Sequence, residues 1–212
     1  MKPVGPPREQ GAVLLTALVM LVALMLGAAS LMRMVESSNQ LAGNLAFKRA
    51  ATLAAENGVE AAIDWLEQQG GATLASDAAA SGYYASANVA VDASGNATSG
   101  TSGTAAIDWK NNECDGLARS ACLKTMALPG VDSAGHSVRY LIQRLCSGSG
   151  SLAATGECAL YLETGAESTS RGAIGYGSEK RLTGQPWAFY RITARALGPR
   201  DTVGLVQVLV RW

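Results

Sequence analysis

From Ala12 to Met32 the chain carries no charged side chain, and only Thr16 and Ser30 are polar. As a helix this stretch spans ~31 Å, the thickness of a bilayer's hydrocarbon core. It also explains an otherwise odd composition. Of the 212 residues 48% are hydrophobic but only 6% aromatic, and aromatic rings usually supply much of a core's buried area. The apolar excess is therefore concentrated locally and is poor evidence for a large globular core. The hydrophobic content excludes a disordered chain. The balance of 17 Lys+Arg against 17 Asp+Glu lacks the basic excess of a nucleic-acid binder.

A short polar leader, MKPVGPPREQG, precedes the apolar run, and Arg33 follows it. Three readings fit these flanks. One is a cleaved secretory signal, with small residues at Gly27, Ala28 and Ala29, although the run exceeds the usual ~7–15 residues of such a signal. Another is an uncleaved signal anchor. The third is a prepilin-type signal, clipped on the cytoplasmic side after Gly11 so that the apolar helix stays in the mature protein. Basic residues on both sides of the run leave its orientation open. Cys114, Cys122, Cys146 and Cys158 lie in the C-terminal half without CxxC spacing, and His136 is the only histidine. Such a set suits two disulfides in an exported domain better than a zinc site.

No proline occurs between Pro7 and Pro129. Residues 33–69 read as an amphipathic, Ala-rich continuation of the helix, with Leu45, Leu53, Val59, Ile63 and Leu66 among its larger apolar positions. Gln69-Gly70-Gly71 supplies the stop. A single rod from Ala12 to Gln69 would extend ~87 Å. Such a helix suits a subunit whose apolar part moves from lipid into a bundle of like helices, where Ala and Gly permit close approach. The plainer reading is a membrane anchor joined to a separate soluble helix.

The leader ending in Gly11, the apolar stretch from Ala12 and the segment LAGNLAFKRAATLAAENGVEAA (Leu41 to Ala62) resemble the PilX family of type IV pilus minor pilins. The run YRITARA (Tyr190 to Ala196) is similar to that family's penultimate strand. The resemblance covers about the first 70 residues and, less closely, the last 25; the middle is not informative. It implies an α+β, pilin-like fold. In that fold residues 1–11 are a leader, 12–32 a transmembrane and filament-core helix, 33–69 its amphipathic continuation, and 70–212 a globular antiparallel β domain. It also implies cleavage between Gly11 and Ala12 by prepilin peptidase and methylation of Ala12; separately, no cofactor is expected. The expected location is the inner membrane with a periplasmic domain, then the pilus at the cell surface. Expected partners are inner-membrane lipid, other minor pilins and the major pilin. Most pilins have Phe at the first mature position and Glu at the fifth, where this chain has Ala12 and Thr16. In the major-pilin scheme that carboxylate neutralises a neighbour's N-terminal amine in an apolar setting, where an unpaired charge is expensive. A chain with Thr16 cannot offer the pairing, which suits a place near the filament tip. Alternatively, Thr16 simply bonds a backbone carbonyl of its own helix.

Beyond residue 70, Tyr83 to Asp92 alternates like one strand, and SGNATSGTSG reads as a loop. Ser137 to Cys146 and Glu157 to Glu163 read as two more strands. WAFYRITARAL and TVGLVQVLVRW flank a Gly198-Pro199-Arg200-Asp201 turn and form a terminal hairpin. The favoured disulfides are local, Cys114–Cys122 and Cys146–Cys158, each worth ~2–3 kcal/mol. Spacing cannot choose among the three pairings that four cysteines allow. Glu56, Glu60, Asp64 and Glu67 form an acidic stripe, while basic residues outnumber acidic ones from Arg119 onward. A basic sheet edge or a basic neighbour could offset the stripe; the plainer reading is a solvated helix face, since exposed pairs are worth little.

Catalytic patterns are not found. The sequence has no GxSxG, HExxH or Walker A motif. His136, in a Gly/Ser-rich turn, is expected to be a surface residue, and Gly175-Tyr176-Gly177 a loop. The chain thus reads as a structural assembly subunit and not an enzyme. A minor pseudopilin of type II secretion uses the same signal, and a membrane-anchored periplasmic enzyme or binding protein explains the first 32 residues equally well.

Overall fold

The computed structural model describes residues 10–87, 90–93, 104–116, 122–152, 157–162 and 186–212. Most of the leader, the SGNATSGTSG loop and Gly175-Tyr176-Gly177 lie outside these residues. The chain divides into two units, Met1–Ala46 and Phe47–Trp212. Helix α1, Gln10–Glu67, contributes to both. Its unbroken course follows from a proline-free, Ala-rich sequence. It ends two residues before the expected stop.

Among the described residues, the second unit joins the last turns of α1 to nine strands. They are β1 Tyr83–Tyr84, β2 Ala90–Asp92, β3 Thr104–Asp108, β4 Cys122–Lys124, β5 Met126–Ala127, β6 Ser137–Arg144, β7 Leu160–Leu162, β8 Pro186–Leu197 and β9 Val203–Arg211. The larger sheet is built on β6, β8 and β9. Strand β6 runs antiparallel to β8 from Ser137↔Leu197 to Arg144↔Tyr190. Strand β8 pairs antiparallel with β9 from Leu197↔Val203 to Phe189↔Arg211. The β8–β9 turn lies at Pro199–Asp201, as the Gly-Pro-Arg-Asp sequence predicts. Strands β5 and β7 add antiparallel pairs to β6 and β8.

The expectation of a wholly antiparallel domain requires correction, because the sheet is mixed. Strand β1 runs parallel to β6, with Tyr83 opposite Ile142. Strands β2, β3 and β4 form a separate, parallel three-stranded sheet. The segment read as one strand, Tyr83 to Asp92, is split between the two sheets. The Ala85 amide leaves the ladder to donate to Asp77 Oδ1 at 2.7 Å, and the Ala87 amide donates to the Cys146 carbonyl. Side-chain alternation has the same period in parallel and antiparallel strands, so the pattern cannot report direction.

Alternation does set the two faces of the larger sheet. Val138, Tyr140 and Ile142 of β6 and Tyr190, Ile192, Ala194 and Ala196 of β8 are buried towards α1. The helix meets them with Ala51, Ala54, Ala55, Val59, Ala62 and Leu66, a stripe at helical spacing. Burial of each larger aliphatic side chain here contributes ~1.5–3 kcal/mol. This packing lies within the unit Phe47–Trp212.

Close approach depends on two glycines. A Cβ on Gly58 of α1 would stand 2.7 Å from Val138 Cγ1 and 3.1 Å from Ala194 Cβ. A Cβ on Gly204 of β9 would collide with the backbone of Ala51 and Thr52. Glycine in a helix is worth up to ~1 kcal/mol less than alanine, a penalty that contact across the whole stripe offsets. Gly204→Ala is therefore expected to destabilise the second unit by ~1–3 kcal/mol. Gly43→Ala, where nothing lies within 4 Å of the new methyl, should not lower stability. Denaturant unfolding followed by near-UV circular dichroism compares the two, and equal responses would contradict close packing at Gly204.

Candidate functional site

In the first unit the large apolar side chains of α1 are exposed among the described residues. Leu14 is 74% exposed, Leu24 74% and Met32 76%. A window within Ala12–Glu67 reaches a mean hydropathy of 2.6 with none of it buried. The helix is thus long and apolar enough to cross a membrane. Ala17, Ala23, Gly27, Ala28 and Ala29 interrupt its larger side chains, and small residues at such positions allow helices to approach in lipid.

Helix α1 begins at Gln10, so Gly11 and Ala12 lie in its first turn. Thr16 follows one turn later, exposed, and its hydroxyl donates to the Val13 carbonyl at 2.9 Å. Ser30 does the same to Leu26 at 2.9 Å. Both hydroxyls are therefore satisfied within the helix and impose no polar demand on the surroundings.

The four cysteines form two separate bridges, Cys114–Cys122 and Cys146–Cys158. The first spans a short helical turn, Glu113–Gly116, whose Glu113, Cys114 and Asp115 have φ of 57°, 53° and 58°. Left-handed geometry costs a non-glycine residue ~1–2 kcal/mol. The buried Asp108 carboxylate steadies the turn by accepting the Asn112 and Glu113 amides at 3.0 Å each. The second bridge closes a loop over Arg144, which is only 2% exposed. Arg144 donates to the carbonyls of Ala85 at 2.9 Å and Gly150 at 2.8 Å. No sequence pattern marks this arginine as buried. Nearby, Tyr83 donates its hydroxyl to the Leu74 carbonyl at 2.7 Å, and burial pushes its pKa above the usual tyrosine range.

On the sheet face away from α1, Arg139 and Arg195 stand directly opposite one another on β6 and β8. Like charges in this position repel. Arg139 is held by Thr125 Oγ1 at 2.8 Å and Asn111 Oδ1 at 3.3 Å. The Arg195 guanidinium lies 5.9 Å from the Trp109 ring centroid, within cation–π range. Its partial burial lowers its pKa. Trp109, Arg139 and Arg195, with Lys110, Leu197, Asp201 and Val203, line a groove of about 580 Å³.

His136 corrects the expectation of a surface residue, since it is only 4% exposed. Asp132 explains this. One carboxylate oxygen accepts the His136 amide at 2.7 Å and the Ala134 amide at 2.9 Å, and the other lies 2.7 Å from Nδ1. The ring packs so closely on Gly198 that a Cβ there would stand 2.9 Å from Nε2. The pair thus links the 132–136 turn to the terminal hairpin. Sequence offers one signal for it, an acid four residues before the histidine. Among the described residues no group of three His, Cys, Asp or Glu side chains is placed to hold a metal ion, and the predicted site residues do not converge on one centre.

The amide of His136, first, and then its ring hold the Asp132 carboxyl below the usual aspartate range. A depressed folded-state value makes this contribution present above about pH 4 and lost as pH falls through the folded value. Asp132→Asn should therefore flatten the acid limb of stability, measured by urea unfolding between about pH 7 and about pH 2.5. An unchanged acid limb would contradict it. Compared with protein-family models, curated proteins and solved structures, the chain gives no significant match to any of them.

Proposed function

We propose that this chain is a PilX-like minor pilin, a structural subunit that primes or assists assembly of type IV pili. One observation carries the reading: helix α1 continues without a break from an unpartnered apolar segment to the stripe packed on the sheet. A plain anchor needs only to cross the bilayer, whereas a helix shared between filament and globular domain must be continuous. The two disulfides fit an oxidising compartment. In this reading the chain waits in the inner membrane with its second unit in the periplasm. It then leaves lipid for a bundle made with other minor pilins and the major pilin. The exposed Leu, Val and Met side chains are satisfied by either apolar environment.

Prepilin peptidase would cut between Gly11 and Ala12. The mature amine would then lie on a helix that offers Thr16, already bonded to its own backbone, in place of a carboxylate. No neighbour's amine is neutralised by such a residue, which favours a position at or near the tip.

Mass spectrometry of the mature N-terminus, with and without prepilin peptidase, tests the processing. Methylated Ala12 is expected only with the enzyme, and an intact leader or cleavage near Ser30 would sink the proposal. A piliation assay separates a pilus subunit from a pseudopilus subunit of type II secretion. Thr16→Glu is expected to change recruitment or position in the filament, read by immunogold labelling of tips. Unchanged assembly and unchanged tip labelling would contradict the tip position.

A further inference from the structure

The second unit carries two charged surfaces that cannot meet each other. The first is the acidic stripe of α1. Glu56, Glu60, Asp64 and Glu67 are all exposed, spread over ~16 Å of one helix face. None has an ion-pair partner among the described residues. The second is the groove around Trp109. It brings together three cations, Lys110, Arg139 and Arg195, against one carboxylate, Asp201. Among the described residues none of these cations forms a salt bridge. Arg139 and Arg195 oppose each other across the ladder.

The sheet separates the two surfaces. Helix α1 covers the face that holds Val138, Tyr140, Ala194 and Ala196. Arg139 and Arg195 alternate with those residues and point to the opposite face. A single copy therefore cannot neutralise its own stripe with its own groove, whereas two copies stacked front to back can.

We propose that the groove receives the acidic face of α1, Glu56 to Glu67, from a second copy of this chain. The carboxylates would sit between Lys110 and the opposed arginines, with Trp109 as the apolar wall that limits solvent screening. The groove also has room for carboxylate side chains: its volume is about 580 Å³, and Leu197 and Val203 give it apolar sides. Because the donor and acceptor surfaces differ, the contact is heterologous and can repeat head to tail. Both surfaces lie within Phe47–Trp212, so the inference stands or falls separately from the pilin reading.

The test uses the full chain in neutral detergent micelles, with Leu197→p-benzoylphenylalanine as a photocrosslinker, which leaves Lys110, Arg139 and Arg195 in place on the groove. Irradiation is expected to join position 197 of one copy to residues 56–67 of another, located by mass spectrometry of the adduct. Reversing the exposed stripe with Glu60→Lys and Asp64→Lys, which touches no core contact, should cut the yield roughly tenfold. Salt near about 1 M, where the screening length falls to ~3 Å, should also cut it. Mixing stripe-reversed chains with Arg195→Glu chains that carry the crosslinker should restore part of the yield. Association through the apolar segment alone would give adducts indifferent to charge reversal. That result, adducts at other segments, or no adduct would each overturn the proposal.

Discussion

Contact between the small-residue stripe of α1 and the sheet organises the second unit. Alanine side chains bury little area each, so the stripe must lie close along its whole length to be worth the ordering it requires. Gly58 and Gly204 allow that distance, one from the helix side and one from the sheet side. With the helix seated, the buried faces of β6 and β8 follow, and so does the outward direction of every alternate residue. Arg139, Arg195 and the groove around Trp109 lie where they do because Val138, Ala194 and Ala196 face the helix.

The polar interior follows the same economy. Arg144 is a buried cation held by backbone carbonyls, with the Cys146–Cys158 bridge keeping the acceptor loop in place. Asp108 accepts two amides and supports the left-handed turn at Cys114. Asp132 orders the turn that holds His136 beneath Gly198. In each case one charged side chain ties two backbone groups together. These three devices connect short strands and loops to the large antiparallel core. With few aromatics available for packing, hydrogen bonding carries more of that task.

Legibility in the sequence varied with the range of the interactions concerned. Helix α1, the strands at Ser137–Arg144 and Pro186–Leu197 and the terminal hairpin were readable from local pattern. The stripe from Ala51 to Leu66 repeats at helical spacing, β6 and β8 alternate, and Gly-Pro-Arg-Asp marks a turn. The parallel placement of β1 beside β6 was not readable. It depends on Tyr83 meeting Ile142, a residue far along the chain, and alternation carries no direction. Burial of His136 and Arg144 was hidden for a related reason, since polarity suggests exposure until the partners that satisfy it are known.

The amino-acid order sets the nature of the two units. An uncharged run long enough to cross a bilayer and an Ala-rich, proline-free continuation are properties of neighbouring residues, and neighbours are what local propensity reads. Folding in three dimensions decided which residues became neighbours across the sheet. It split Tyr83 to Asp92 between two sheets, set Arg139 against Arg195, and put the acidic helix face and the basic groove on opposite sides of one layer. Those relations arise from register between distant segments, and register is fixed only when the helix and the sheet bury their matching faces together.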